Sequence, residues 1–339
     1  MRLSSAWRDF FRRVTHFFTL RVVIVDSFAA DQGDDGLWAD VRAICDLVVH
    51  PRTPPEALIA RLRGADAALT NKVRFGTQIF TAVSELRYVG VLATGTNIVD
   101  LAAARAAGVA VSNVPGYASE SVAELVFAYI LHFSHDIGAH AAAVKRGAWA
   151  ASPDFCFFVS PLTEVAGKTI AIVGSGSIGG AVARIAEGFG MRVVRAAVPG
   201  SPTRAARVPL PDALAAADFV TLHCPLTEVT RGLVNADFLA AMKPRAILIN
   251  TGRGALVDER ALAGALAAGR LGGVGLDVLA DEPPPADHFL TDPRAPWASR
   301  VVVTPHIGWG TIEARTRLAR EVALNLAAFA RGERRNRLD

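Results

Sequence analysis

TIAIVGSGSIGG, residues 169–180, joins an apolar, β-branched run to a glycine-rich turn of the form G-x-G-x-x-G. Apolar residues at helical spacing follow the turn, from Ile178 through Val182 to Ile185. The order strand, tight turn, helix is what a dinucleotide-binding turn requires, because the glycines let the backbone approach a pyrophosphate at the positive end of a helix. The stretch therefore predicts a nucleotide-binding βαβ unit.

The composition of the chain is typical of an enzyme with two domains. Its 339 residues are 51% hydrophobic and 20% charged, with a formal net charge of +4, and this length is enough for two domains of ordinary size. No apolar run approaches the ~18–20 residues of a membrane span, and a solvated tail explains the arginines near the C-terminus more simply than a nucleic-acid patch. We therefore expect neither a membrane nor a nucleic acid as a partner.

The cysteines and the first 20 residues bear on the cellular compartment. The cysteines are odd in number and widely spaced, at positions 45, 156 and 224, which indicates neither a disulfide framework nor a metal site and favours the cytoplasm. Residues 1–20 interleave arginines with aromatic residues but lack the unbroken apolar core and the cleavage site of a signal peptide. We interpret them as a disordered or loosely packed extension, with an amphipathic membrane-surface or targeting helix as the alternative.

Short apolar runs alternate with helical patterns along the rest of the chain. Five runs between residues 21 and 111 and six between 169 and 304 predict two α/β domains, the second a Rossmann-type, doubly wound parallel sheet. Ser121 and Glu124 form a possible capping box at the start of a long helix, and the helix-periodic stretch 311–331 is expected to return to the first domain. The predicted domains are a discontinuous, flavodoxin-like substrate domain (21–118 and 311–339) and a nucleotide domain (119–310), which enclose a cleft.

Three polar residues come shortly after strand-like runs of the second domain: Arg253, Glu282 and His306. Each has an ordinary alternative explanation, as a surface cation, a loop acid and a core histidine. Ligands of open α/β sheets bind beyond the carboxyl ends of the strands. Together the three residues therefore form a coherent set: an anion clamp, a carboxylate and a titratable acid.

The motifs of the chain resemble, in order and spacing, those of the D-isomer-specific 2-hydroxyacid dehydrogenases, particularly the glycerate dehydrogenase/hydroxypyruvate reductase-like branch. The resemblance spans about residues 22–330 and rests on the glycine-rich turn and on segments 93–97, 114–117, 223–227, 250–254, 277–283 and 305–309. It implies an oxidoreductase that transfers a hydride between NAD(P)H and C2 of a small 2-oxo acid, such as hydroxypyruvate or glyoxylate, to give a D-2-hydroxy acid.

The resemblance also implies roles for the candidate residues. Arg253 matches the arginine that clamps the carboxylate and the carbonyl oxygen of the substrate, and His306 matches the general acid/base that contacts the same substrate. Glu282 matches the carboxylate that orients the histidine and favours the imidazolium. The backbone at Thr94 and Gly95 matches the loop that holds the substrate carboxylate. No metal is implied.

A cofactor site follows from the same resemblance. It comprises the glycine-rich turn, the groove beyond the neighbouring strands and a carboxylate for the nicotinamide carboxamide: Ser121, Gly174, Gly176, Ser177, Ile178, Gly179, Cys224, Pro225, Thr230, Thr251, Gly252, Asp277 and Gly308. Ala197 departs from the common pattern, because an acid usually ends the second strand and binds the ribose 2′-OH. Arg195 and Arg204 are the nearby cations, so the choice between NAD and NADP stays open.

Two more expectations concern partners. A homodimer through the nucleotide domain is implied by the resemblance, and a loop with Phe155, Phe157 and Phe158 is expected to wall the active site of its own chain or of a partner subunit. The alternative function is a nucleotide-sensing, corepressor-like binding protein on the same fold. The chain shows no long disordered tails for binding protein partners, which favours the enzyme.

Overall fold

The computed structural model describes residues 20–202 and 207–338, which fall into two compact units. Unit 1 is Met1–Ala118 with Gly310–Asp339, and unit 2 is Ser119–Trp309. Apart from Leu20, the predicted extension lies outside the described residues, and so does Arg204. Over the described ranges, the structure contains no helix with both the length and the apolar character needed to cross a bilayer.

Unit 1 is built on a parallel sheet of five strands in the order β2-β1-β3-β4-β5. The strands are β1 (Arg21–Ile24), β2 (Asp46–Val49), β3 (Ala67–Thr70), β4 (Tyr88–Val91) and β5 (Ala110–Ser112). Every residue of β3 and β4 is buried, as expected for central strands of a parallel sheet that is covered on both faces. The helices of its first segment are α1 (Phe28–Asp31), α2 (Ala39–Arg42), α3 (Leu58–Leu62), α4 (Thr77–Ala82) and α5 (Leu101–Ala106).

The C-terminal helix α12 (Ile312–Ala330) packs within unit 1. Its Phe329 ring lies 4.8 Å from the ring of Tyr88 in β4. The side-chain amide of Asn325 donates to the Asn113 carbonyl at 3.0 Å, and the Leu338 amide donates to the Val111 carbonyl at 2.9 Å. These contacts fix the last helix and the residues after it against the end of β5.

Unit 2 contains a parallel sheet of six strands in the order β11-β10-β9-β8-β6-β7. The strands are β6 (Thr169–Val173), β7 (Arg192–Ala196), β8 (Phe219–Leu222), β9 (Ile247–Asn250), β10 (Gly273–Leu276) and β11 (Val301–Val303). Its helices are α6 (Ser119–His135), α7 (Ile137–Lys145), α8 (Ser177–Gly188), α9 (Leu210–Ala216), α10 (Ala236–Ala241) and α11 (Glu259–Ala267). The prediction of two parallel α/β sheets, the second doubly wound, is confirmed.

All six strands of unit 2 end on one row of the sheet. Paired residues run along this row from one edge to the other: Ala196, Val173, Leu222, Asn250, Leu276 and Val303. Because adjacent strands are ~4.8 Å apart, the residues just past the row form a continuous edge. That edge carries the glycine-rich turn after β6, Arg253 after β9 and His306 after β11.

Candidate active site

The glycine-rich turn leaves no room for side chains at two of its glycines. Gly174 has φ +105°, and a Cβ on it would lie 2.5 Å from the backbone of His223 and Cys224. A Cβ on Gly179 would lie 2.1 Å from the Gly174 carbonyl oxygen. Gly176, by contrast, is open and precedes α8 without a side-chain cap. The turn is therefore tight where it packs on β8 and open where an anion would meet the helix N-terminus, which fits a dinucleotide pyrophosphate.

The loop after β8 lines the groove next to this turn. Cys224 is buried, and burial raises the pKa of its thiol to about 11, so the thiol stays neutral. The Thr230 hydroxyl donates to the Pro225 carbonyl at 2.7 Å and holds the loop in shape. Burial lowers the pKa of His223 to about 3. The His223 ring is therefore neutral near pH 7.

Arg253 lies in a loop whose backbone is fixed by the end of β9. The Asn250 side chain donates to the Arg253 carbonyl at 2.9 Å and accepts from the Gly252 amide at 3.0 Å. The half-buried Arg253 guanidinium donates to the Gly252 carbonyl at 2.7 Å. In the same loop, the buried hydroxyl oxygen of Thr251 has no hydrogen-bond partner among the described residues. A buried hydroxyl without a partner is expected where a bound polar ligand supplies the missing hydrogen bond.

Gly254 joins the Arg253 loop to the loop that carries Glu282. A Cβ on Gly254 would lie 1.9 Å from the carbonyl carbon and oxygen of Leu279. The two backbones are therefore in direct contact. Glu282 is held within its own loop, because one of its carboxylate oxygens accepts from the Leu279 amide at 3.3 Å.

His306 and Glu282 form a close hydrogen-bonded pair. The His306 Nδ1 lies 2.6 Å from the Glu282 Oε2, and both side chains remain partly exposed, at 24% and 33%. A carboxylate only accepts hydrogen bonds, so Nδ1 carries a proton and Nε2 is left to exchange one with a substrate. His306 adopts a left-handed backbone conformation with φ +54°, which is uncommon for a residue other than glycine.

Asp277 holds the His306 loop in this conformation. Its buried carboxylate accepts from the Thr304 hydroxyl at 2.6 Å and from the amides of Ile307 and Gly308 at 2.8 Å each. The Thr304 hydroxyl also lies 2.5 Å from the Tyr129 hydroxyl. Burial raises the pKa of both Asp277 and Tyr129. Asp277, predicted from the sequence only as a cofactor ligand, therefore holds the loop that carries His306.

The capping-box interpretation of Ser121 and Glu124 is wrong. Helix α6 begins at Ser119, so Ser121 lies inside the first turn rather than before it. The Ser121 hydroxyl donates instead to the Gly308 carbonyl at 2.5 Å. Ser121 and Gly308, both predicted to bind the cofactor, are thus brought together beside the His306 loop.

Thr94 and Gly95, predicted to hold the substrate carboxylate, lie in unit 1 just past β4. The Thr94 hydroxyl donates to the Val114 carbonyl at 2.9 Å, and the Thr94 carbonyl accepts from the Asn113 side chain at 2.7 Å. The side chain and the carbonyl of Thr94 are therefore engaged within unit 1. This loop is ordered by its own hydrogen bonds.

A carboxylate–histidine pair that the sequence did not predict contacts the Glu282 loop. Glu259, the first residue of α11, accepts from the Ala280 amide at 2.9 Å and lies 3.1 Å from the Nε2 of His288. A glutamate at the start of a helix has an ordinary explanation in the helix dipole, so its position alone did not mark it. In the described ranges 20–202 and 207–338, no group of three or more His, Cys, Asp or Glu side chains could hold a metal ion.

Comparisons with known proteins identify the family of the chain. Residues 127–308 match the NAD binding domain of the D-isomer specific 2-hydroxyacid dehydrogenases. The chain is similar to the hydroxypyruvate reductase of Blautia hydrogenotrophica, 36% identical over 92% of this chain and 98% of the relative. It is also similar to the glycerate dehydrogenase of Methylorubrum extorquens, 40% identical over 83% of this chain and 88% of the relative.

A solved structure shares both units. The NADPH-dependent glyoxylate/hydroxypyruvate reductase of Sinorhizobium meliloti, in complex with NADP and malonate, superimposes with a TM-score of 0.76 at 27% identity. The superposition covers 92% of this chain and 94% of that one. None of these names supports the corepressor alternative. The chain belongs to the D-isomer specific 2-hydroxyacid dehydrogenase family and is an NAD(P)-dependent oxidoreductase.

Proposed function

We propose that this enzyme reduces small 2-oxo acids of the hydroxypyruvate and glyoxylate type to D-2-hydroxy acids. The observation that carries the proposal is the His306–Glu282 pair at 2.6 Å. The pair lies at the same carboxyl edge of the sheet as the glycine-rich turn and Arg253. Strands β9 and β11, which precede Arg253 and His306, are two strand spacings apart, about 10 Å. The relatives named hydroxypyruvate reductase and glycerate dehydrogenase support this substrate class.

The proposed chemistry divides between the cofactor and the side chains. When bound, the reduced nicotinamide supplies the hydride that reaches C2 of the substrate. The Arg253 guanidinium binds the substrate carboxylate and polarises the carbonyl oxygen, because its planar N–H groups can serve two acceptors at once. His306 donates the proton on Nε2 to the oxygen as negative charge develops there, and it removes that proton in the oxidative direction.

Glu282 makes His306 suitable for this step. Its carboxylate accepts from Nδ1 and so fixes the orientation of the ring and the tautomer that remains after proton transfer. Glu282 acts in the proposal through His306 and does not contact the substrate.

The domain roles are part of the proposal. We assign cofactor binding to residues 119–310 and the substrate role to residues 21–118 with 311–339, where Thr94 and Gly95 would contribute backbone amides to the substrate carboxylate. The match of residues 127–308 to an NAD binding domain supports the first assignment. The three unpaired cysteines support a cytoplasmic enzyme.

A panel of 2-oxo acids tests the function. With the full chain and NADH or NADPH, hydroxypyruvate and glyoxylate should each cause loss of the near-ultraviolet absorbance of the reduced cofactor. The product from hydroxypyruvate should be D-glycerate on chiral chromatography. Tight cofactor binding without turnover of any 2-oxo acid would contradict the proposal and favour a sensor protein.

A homodimer through unit 2 is the proposed assembly. Half of the exposed large hydrophobic residues that the structure describes lie between residues 137 and 162: Ile137, Val144, Trp149, Phe155, Phe158, Val159 and Leu162. Phe155 is 89% exposed and Phe158 is 69% exposed. Such a concentration of apolar surface is typical of a protein–protein interface. The isologous contact of two copies is the simplest way to cover it.

Replacing both Phe155 and Phe158 by serine should convert the dimer to a monomer. The apolar surface that drives association would be lost, while the fold should persist because both side chains are exposed in the chain itself. Light scattering coupled to size exclusion measures the mass. The matched control is Ile312→Ser, which changes an equally exposed apolar residue (71%) outside the segment and should leave the mass unaltered. An unchanged mass of the double variant would place the interface elsewhere.

A further inference from the structure

The carboxyl end of β7 lacks the acidic residue that commonly binds the ribose 2′-OH of NAD. Ala196 ends the strand and Ala197 follows it. Without a carboxylate at this position, the usual repulsion of a phosphate on the ribose 2′ oxygen is missing. The end of β7 is next to β6 in the sheet and therefore next to the glycine-rich turn.

A returning segment places Arg207 at this end of the strand. The Val208 amide donates to the Arg195 carbonyl at 3.0 Å, and the Ala197 amide donates to the Val208 carbonyl at 2.8 Å. Residue 208 is thus bridged to Ala196, and Arg207 lies immediately beside the point where the acid is missing. The position is set by backbone hydrogen bonds, which do not depend on the side chain of residue 207.

The Arg207 side chain reaches the glycine-rich turn. Its Nη2 donates to the Ser175 hydroxyl at 3.1 Å, and the residue is half-buried. Among residues 20–202 and 207–338, no carboxylate forms an ion pair with Arg207. Arg195, in contrast, lies on the strand itself and pairs with Glu187 at 3.9 Å. Arg207 therefore presents a positive charge and further N–H donors that an anion could use.

We propose that Arg207, with the hydroxyl of Ser175, binds the 2′-phosphate of NADP(H) and makes this enzyme prefer NADP(H) to NAD(H). The inference rests on the proposed function, because it takes the dinucleotide to lie along the strand-end edge with its adenosine ribose at β7. A guanidinium can make two parallel hydrogen bonds to a phosphate. The ribose 2′-OH of NAD would offer the same guanidinium only a neutral partner.

Binding measurements on the full chain test the inference without turnover. Wild-type protein should bind NADPH about 10–100-fold more tightly than NADH, the range expected from charge-assisted hydrogen bonds to one phosphate. In Arg207→Ala, the affinity for NADPH should fall to that for NADH, and NADH affinity should change less than about twofold. Adenosine 2′,5′-bisphosphate should displace NADPH from wild type far better than 5′-AMP does, and this advantage should vanish in the variant.

Two further variants control for charge and folding. Arg195→Ala removes a nearby arginine that already has an acidic partner and should preserve the NADPH/NADH ratio. Arg207→Lys keeps the charge without the planar fork and should give an intermediate ratio. Equal wild-type affinity for both dinucleotides, or an unchanged ratio in Arg207→Ala, would overturn the inference and leave the proposed function standing. If neither NADPH nor NADH binds to the wild-type protein, both the inference and the proposed function are overturned.

Discussion

Replacing His306 by asparagine should lower kcat by about 10²–10⁴-fold, the usual contribution of a positioned general acid. The variant loses the only proton donor that we place at the substrate oxygen. Asparagine is the better test than alanine, because residue 306 has φ +54° and asparagine tolerates the left-handed region. His306→Ala should show a similar loss of kcat, with some additional strain in the loop. Steady-state kinetics with hydroxypyruvate measures the effect.

Cofactor affinity separates a chemical defect from a structural one. The amides of Ile307 and Gly308 and the hydroxyl of Thr304 hold the loop to Asp277 without using the imidazole. Dinucleotide binding by His306→Asn should therefore match wild type. Turnover that survives in this variant would remove His306 from the mechanism. Loss of dinucleotide binding would show that the histidine supports the fold of the loop instead.

Replacing Arg253 by alanine should raise KM and lower kcat together. The guanidinium is proposed to bind the carboxylate in the ground state and the carbonyl oxygen as charge develops on it, so both parameters depend on it. Hydrogen bonds to charged groups are worth about 1.5–3 kcal/mol each, which predicts a change of about 10–100-fold in each parameter. Arg253→Lys should recover only part of the loss, since lysine lacks the planar pair of donors.

The exposed Arg260 offers a matched control for this variant. It lies in the first turn of α11 and belongs to none of the proposed sites. Arg260→Ala should leave both kinetic parameters at wild-type values. The Arg253 loop should keep its shape when the side chain is removed, because Asn250 holds its backbone. A normal KM in Arg253→Ala would contradict the clamp.

The sheets and the turn between β6 and α8 could be predicted because their signals are local. Strand β6 is buried along its whole length, which matches its apolar sequence. Gly174 has to be a glycine because the backbone of His223 and Cys224, just past β8, occupies the space of a Cβ. The pairing of Glu282 with His306 was also anticipated, although 24 residues separate them. That prediction came from a family resemblance, since no periodicity connects the two positions.

The contacts that hold the site together were not accessible from the sequence. Tyr129 and Thr304 meet across 175 residues, and Arg207 meets Ser175 across 32. Such pairs depend on how elements pack in three dimensions. In the sequence alone, Tyr129 is indistinguishable from any aromatic residue of a helix, and Arg207 from any surface arginine. The capping-box prediction for Ser121 failed for a related reason: a local pattern was present, but a distant carbonyl, that of Gly308, provided the partner.

The backbone contact at Gly254 limits how such an enzyme can be redesigned. Because the carbonyl of Leu279 occupies the space of any Cβ at residue 254, a side chain introduced there would push the loops of Arg253 and Glu282 apart. Such a substitution would move Arg253, the proposed substrate clamp, away from Glu282, the partner of His306. Changes of substrate specificity are therefore better made at residues outside this pair of loops, where they leave Arg253 and Glu282 in place.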